Sequence, residues 1–290
     1  MTDTISPVFG TYGLPALRVA LLDLCNSAAD NKLGRWYVSL LRKTALAGLS
    51  GPFDITTAQG LNLRLHPFSN RCEKRMIAGS HLWDAPERAA LVEAINGKIS
   101  PDSFIFFDVG ANVGLYFLTS WKAAKDAGKV LKAFAVEPDD TNGGRLCFNT
   151  QASNADTVHI PFAVGGSSGV GKAVGGETNR GEVRITEADR PSDNDTDDGA
   201  IIIKTLADIV DNQHVDAIDA MKVDVEGHDF AALETFFQQA RKTMWPKLLI
   251  IETGRGSSKV LELCVANGYS LDRRTQINAI LTLSDPAGNE

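Results

Sequence analysis

Cysteine is scarce in this 290-residue chain, and its placement is uninformative for metal chemistry. Cys25, Cys72, Cys147 and Cys264 lie far apart, with no Cys-x-x-Cys pair and no histidine cluster. Zinc is therefore not expected, and a reduced cytoplasmic compartment is the simplest reading. Long apolar runs are missing too. None approaches the 18 or so residues a membrane span requires, so no span is expected. The opening MTDTISPVFG has neither the positive n-region nor the continuous apolar stretch of a secretory signal. Positive charge is also in short supply, with 29 Lys and Arg against 36 Asp and Glu and a net charge of −7. Non-specific nucleic-acid binding depends on neutralising phosphates, so nucleic acid is not an expected partner, although a small local basic patch is compatible with this balance.

A hydrophobic content of 43% is enough for a full α/β core of about 200–230 residues plus an accessory segment. The most informative stretch is FIFFDVGANVGLYF, residues 104–117. Phe104 to Phe107 is apolar without alternation, as a strand buried on both faces of a parallel sheet must be. It runs into the loop Asp108-Val109-Gly110-Ala111-Asn112-Val113-Gly114, and a helical run, Leu115 to Lys125, follows. Small residues there allow a sharp turn and close backbone approach to a ligand at a helix N-terminus. A pyrophosphate site has no use for a carboxylate at the start of that loop, whereas an ammonium or sulfonium group does.

The next strand, within Lys129 to Pro138, ends in Glu137-Pro138. An acidic residue some 20–30 positions past a glycine loop can accept both ribose hydroxyls of an adenosine. Proline directly after it cannot extend the ladder, so the strand stops where the carboxylate must meet the ligand.

DVGANVG, then AVEP, then MKVDVEGHD (Met221 to Asp229), then a strand ending in IIETG resemble the FkbM-type S-adenosylmethionine-dependent methyltransferases over roughly residues 60–283. The resemblance implies a class I Rossmann-like fold and methyl transfer to a hydroxyl oxygen of a sugar, polyketide or related metabolite. By motif position it implies that Asp108, Gly110 and Gly114 face the methionine part of the cofactor and Glu137 the ribose. Asn112, inside the same loop, joins the expected cofactor-binding set.

From Phe104 onward strands and helices alternate, the pattern of a doubly wound, mostly parallel sheet. Strands are expected at 104–107, 130–136, 157–164, 221–225 and 247–252. A helix over Ser258 to Asn267 and a closing pair of strands, 269–273 and 278–283, complete a seven-stranded sheet. The helix before the third strand is expected to start late, because Gly143-Gly144 weakens its first turn. Residues 165–181 are glycine-rich and read as a flexible hairpin arm. Lys172 is followed by Ala173, so this is not a nucleotide-binding P-loop. Residues 186–199 are acidic and nearly devoid of apolar side chains, so they read as a mobile surface loop. They lack the central glycine and terminal glutamate of a calcium loop.

Residues 1–100 are expected to form an N-terminal extension and 101–290 the cofactor domain. The extension contains two helices within 14–48 with a break near Asp30, Asn31 and Gly34, then a hairpin over 53–65 and a helix from Ala85 to Ile95 opened by Pro86. Arg71, Lys74, Arg75, His81 and Trp83 lie between hairpin and helix, either as a solvated connector or as a cover on the substrate side.

In open parallel sheets ligands bind outside the carboxyl ends of the strands, near the switch point. Asp224, Glu226 and His228 follow the fourth strand and are the candidate catalytic groups, with Asp224 also near enough to touch the cofactor. A sugar-type hydroxyl needs its proton removed by a base or its oxygen bound by a metal. If a metal is used, oxygen-rich ligation here suits magnesium. Glu252, ending the fifth strand, is a weaker candidate. His228 or Asp229 could instead cap the following helix. A nicotinamide-dependent reductase is the first alternative, although it would want G-x-G-x-x-G where this chain has D-x-G-x-x-x-G. The second is a cofactor-binding module without catalysis.

Overall fold

The computed structural model describes residues 7–99, 103–175, 179, 184–187, 200–254 and 259–284. The chain begins with helices α1 (Ala16–Asp23) and α2 (Lys32–Ala45). The expected break between them is real. Asn31 caps α2 by accepting from the Gly34 amide at 2.9 Å, a device that contributes about 1 kcal/mol. Strands β1 (Phe53–Thr56) and β2 (Asn62–Leu65) form the expected antiparallel hairpin, with Phe53 opposite Leu65. Short α3 (Arg71–Met76) is capped by Asn70, whose side-chain oxygen accepts from the amides of Cys72 and Glu73. Helix α4 (Ala85–Gly97) carries Pro86 in its first turn and buries Leu91 and Ile95.

Strand and helix then alternate: β3 (Phe104–Val109), α5 (Leu115–Asp126), β4 (Leu131–Val136), α6 (Asp140–Ala152) and β5 (Val158–Ile160). Strands β6 (Ala163–Gly165), β7 (Gly169–Val174), β8 (Arg184–Glu187) and β9 (Ala200–Thr205) follow. The remainder is α7 (Leu206–Asp211), β10 (Ala220–Val223), α8 (Asp229–Gln239), β11 (Leu248–Glu252), α9 (Lys259–Ala266), β12 (Tyr269–Arg274) and β13 (Asn278–Leu283).

Seven strands make the main sheet in the order β12-β13-β11-β10-β3-β4-β5. The five from β11 to β5 are parallel, and β13 and β12 add an antiparallel edge. This is the expected doubly wound Rossmann-like arrangement, with the switch point between β3 and β10. The apolar run in β3 is explained by its two faces. Phe104 and Phe106 enter the core shared with α4, α5 and the N-terminal hairpin. Phe107 and Val109 enter the core shared with α7, α8 and α9. Phe107 stacks on Phe134 of β4 with ring centroids 4.6 Å apart. Each such fully buried side chain contributes roughly 1.5–3 kcal/mol.

Three expectations are corrected. The strand expected over 157–164 is two strands in different sheets: β5 ends the main sheet, and β6 starts a second, four-stranded sheet of order β6-β9-β7-β8. Pro161 lies between them and cannot donate to a ladder. The helix expected to start late starts on time at Asp140. Asp139 caps it by accepting from the Asn142 amide at 2.8 Å. Gly143 is there for packing, because a Cβ would stand 2.7 Å from the His159 ring. The glycine-rich stretch is a hairpin as expected, with β7 antiparallel to β8, but it is not a free arm, because β7 also pairs antiparallel with β9 in the second sheet. Of the acidic stretch 186–199, Thr186 and Glu187 belong to β8, and residues 188–199 lie outside the described residues.

Candidate active site

At the carboxyl ends of β3, β4, β10 and β11 a cavity of about 470 Å³ opens, within the ~300–1,000 Å³ typical of small-molecule sites. Its floor is the loop after β3. The amides of Gly110 and Ala111 both donate to the Val136 carbonyl, at 3.0 and 2.9 Å, which folds the loop over the end of β4. Gly110 has φ +80°, and a Cβ on it would lie 1.8 Å from the Asp224 carbonyl oxygen. Asn112 is left-handed at φ +52°, a conformation asparagine tolerates better than most residues. Gly114, also at φ +80°, opens α5 and packs against Leu146.

Glu137 lines the cavity directly after β4. One carboxylate oxygen accepts from the Asn112 amide at 2.8 Å, the other from the Asp139 amide at 3.0 Å. Burial raises its pKa to about 7 despite these bonds. The Asn142 side chain also hydrogen-bonds to this carboxylate, whose two oxygens together offer about four acceptor sites.

Beneath the loop, Asp108 is 1% exposed and does not reach the cavity wall. Its Oδ2 accepts from the Phe117 amide at 3.2 Å, and its Oδ1 is buried without a hydrogen-bond partner among the described residues. Burial lifts its pKa to about 6, with nearby Lys222 acting in the opposite direction. Gly114 is likewise absent from the cavity wall. Both residues shape the loop from behind, while Gly110, Asn112, Glu137 and Asp224 face the space itself.

The opposite rim follows β10. Lys222 is buried and holds Asp224 at 2.9 Å, and its ammonium lies 4.9 Å from the Tyr116 ring centre. Burial would lower the lysine pKa, but Asp224 and Asp108 outweigh it and keep the ammonium charged. Glu226 takes the left-handed conformation at φ +49°, followed by Gly227 at +99°. The turn is closed by Asp229, whose carboxylate accepts from the amides of Val225 and Gly227. The anticipated helix cap is therefore not made: Asp229, the first residue of α8, ties back the turn before the helix. His228 makes no side-chain cap to α8, and it lines the cavity. Glu252 at the end of β11 hydrogen-bonds to Asp224. Its pKa is pushed up to about 8 by burial and by the charges of Asp224, Glu226 and Asp229.

The cover comes from the extension and the second sheet. Asp84 and Tyr116 are joined by a 2.9 Å hydrogen bond. Trp83 lies edge-on to Tyr116 at 4.9 Å and is 3% exposed, so it is a packed wall and not an open stacking platform. Arg71, Cys72 and Arg75 line the mouth, with Arg75 3.8 Å from Asp84. Asn179 accepts from the Arg71 amide, which brings the arm of the second sheet to α3. His81 instead contacts the Ala28 carbonyl and fastens the N-terminal helices.

Sequence reasoning passed over Lys222, Asp84, Tyr116 and Asn142. Lys222 had a visible signal, since a lysine within an apolar buried strand demands a carboxylate partner. Asp84 and Tyr116 had none, being brought in by tertiary packing. Among the described residues no three His, Cys, Asp or Glu side chains are set to hold a metal ion together, so the magnesium alternative finds no ligand set there.

Comparison with curated proteins finds no match. Among solved structures, similarity extends to magnesium protoporphyrin IX methyltransferase from Synechocystis PCC 6803 with bound SAM. That likeness has 13% identity, covers 73% of this chain and 82% of that one, and has a TM-score of 0.39. Precorrin-6y C5,15-methyltransferase from Geobacter metallireducens is 10% identical, with 68% and 88% covered and a TM-score of 0.38. An rRNA methylase from Streptococcus thermophilus is 12% identical, with 70% and 96% covered and a TM-score of 0.40. The sequence itself matches the methyltransferase FkbM domain over residues 108–265. That match starts at the carboxylate under the glycine loop and takes in Glu137 and the whole β10 rim, so the chain belongs to the FkbM methyltransferase family.

Proposed function

We propose that the cavity binds S-adenosylmethionine and that the chain methylates a hydroxyl oxygen on a sugar, polyketide-like metabolite or glycan. The observation that carries this reading is Glu137. It is fixed by two backbone amides at the end of β4 and faces the same cavity as Gly110, Asn112 and Asp224. The wall's charge supports a cationic ligand. Asp84, Glu137, Asp139, Asp224, Glu226 and Glu252 contribute six carboxyl groups, of which burial holds Glu137 and Glu252 partly protonated near neutral pH, against Arg71, Arg75 and Lys222. A sulfonium and an ammonium are stabilised in such a field, and a dinucleotide pyrophosphate is repelled.

When bound, the cofactor supplies a methyl carbon activated by its sulfonium. The chain's own tasks are to position the acceptor and to take its proton. Glu137 accepts the ribose hydroxyls. Gly110 lets the loop backbone approach the ligand. Lys222 fixes Asp224, and Asp224, Glu226 and His228 present acceptor groups on the facing rim. Beside them Glu252 is the best placed to receive a proton, because burial and the neighbouring charge of Asp224 push its pKa up to about 8.

Calorimetry with S-adenosylhomocysteine against NADPH tests the cofactor. Binding of the first and not the second is expected, and the reverse would favour the reductase. Incubation with methyl-labelled S-adenosylmethionine and fractionated cell extract then identifies the acceptor. Label on nitrogen or carbon would overturn the choice of oxygen. Binding without any transfer would favour the non-catalytic module.

A further inference from the structure

Helix α2 carries two apolar stripes, and the fold uses one of them. Gly34, Val38 and Ala45 are buried against the rest of the extension. Leu33, Trp36, Tyr37 and Leu40 form the other stripe and are 73%, 61%, 37% and 46% exposed. Their spacing of i, i+3, i+4 and i+7 places them within an arc of about 100°. Lys32 and Lys43 both border that arc on its Trp36 side, near the two ends of the helix, and among the described residues neither pairs with a carboxylate. Arg35 is engaged with Asp30 at 2.8 Å.

The local charge is opposite to that of the whole. Residues 14–48 hold five basic side chains and two acidic ones, in a chain of net charge −7. Tryptophan and tyrosine beside leucine, bordered by lysine, suit the boundary between lipid headgroups and acyl chains. A second copy is a poorer occupant. A two-fold contact along this stripe would bring the same lysines of both copies together without an acidic counterpart on the helix. With 14 residues and about 21 Å of length, α2 is suited to lie on a bilayer and is too short to cross one.

We propose that this face of α2 docks the enzyme on an anionic membrane surface. The stripe inserts Leu33, Trp36 and Leu40 shallowly, and Lys32 and Lys43 sit among acidic headgroups. The reading is independent of the proposed cofactor and acceptor.

The test is flotation of the full chain with vesicles of phosphatidylcholine and phosphatidylserine, compared with phosphatidylcholine alone. Binding is expected to the anionic vesicles, weakened by salt. The double variant Trp36→Ser with Leu40→Ser should lose it on the order of tenfold or more. Lys32→Glu with Lys43→Glu should lose the preference for anionic lipid. All four positions are solvent-exposed, and an unchanged melting temperature in each variant checks that folding is intact. Trp36 is more exposed than Trp83 and Trp245, so its emission should shift to the blue on binding, a shift that Trp36→Phe removes while binding persists. Absence of binding to either vesicle overturns the proposal. So does binding that survives the Trp36→Ser, Leu40→Ser change. A stable dimer in light scattering that this same variant dissociates would assign the face to a second copy and equally refute the membrane reading.

Discussion

Gly110 and Asp224 meet backbone to backbone: the space a Cβ on Gly110 would need is filled by the Asp224 carbonyl oxygen, 1.8 Å away. The two residues begin the loops after adjacent parallel strands, and the Asp224 amide donates to the Val109 carbonyl at 3.0 Å. The glycine loop and the acidic rim are therefore one unit. Any side chain on Gly110 separates them.

Gly110→Ala should lower both stability and affinity for S-adenosylhomocysteine. The left-handed backbone alone costs an alanine roughly 1–2 kcal/mol, and the collision with Asp224 adds to it. Gly128→Ala is the control. It shares a positive φ of +66° but meets nothing within 4 Å, so it should show the backbone cost without loss of binding. Thermal melts and calorimetry on both variants measure the difference. Equal effects in the two would refute the apposition argument.

Glu137→Gln should weaken binding of S-adenosylhomocysteine by about 1–3 kcal/mol, because an acceptor for the ribose and the loop amide is lost. It should also change how the ligand-free protein responds to pH. The folded pKa of about 7 lies above the ordinary 4.5, so the folded state holds this proton more tightly than the unfolded one. The stability linked to the neutral form is fully present below about pH 4.5 and is lost as pH rises through 7. Denaturation series across that window should show a shallower decline in Glu137→Gln.

Turnover should rise with pH as Glu252 loses its proton, with a midpoint near its raised pKa of about 8. Glu252→Gln should abolish that limb, since its side chain no longer titrates. Glu226→Gln should reduce turnover about a hundredfold if Glu226 takes the acceptor proton, with cofactor affinity nearly intact. Rate profiles for the three proteins separate these roles. A Glu226→Gln variant with normal turnover per folded molecule would remove Glu226 from catalysis.

Arg145→Met should destabilise the chain by roughly 3–5 kcal/mol near neutral pH. Arg145 bonds Glu73 at 2.9 Å, and the Glu73 side chain is wholly buried. Burial already lifts the Glu73 pKa to about 7 against the pull of Arg145. Without the arginine it rises further, so the deficit should be largest at alkaline pH and smallest below the ordinary carboxylate pKa of 4.5. Urea titrations at both extremes measure it.

The main sheet was legible because β3 and β11 carry apolar runs buried on both faces, and β4 and β10 are apolar apart from one lysine each. Gly110 and Asn112 of the small-residue loop and Glu137 at the next strand end were legible from residue type, spacing and the family resemblance together, and the structure brings them to one cavity. The second sheet was not legible. Its strands are short, mixed in polarity and interrupted by glycine, so they carry no clean period of two. The support behind the site was hidden for another reason. Asn70 donates to Asn112, and Tyr116 donates to Asp84, across sequence separations of 42 and 32 residues. Polar pairs of that kind leave no local pattern.

The hairpin β1–β2 has a consequence for biosynthesis. Its polar partners are Asn149 and Ala152 of α6 and Ser153 just after it, which receive the Arg64 and Asn62 donors some 85–91 residues further along the chain. Those donors cannot be satisfied until that helix has emerged from the ribosome, a delay on the order of ten seconds at ordinary elongation rates. During that interval a nascent chain carries a hairpin whose outer edge is unpaired. Slow translation between residues 65 and 153 should therefore lengthen its dependence on chaperones, while slow translation after α6 should not.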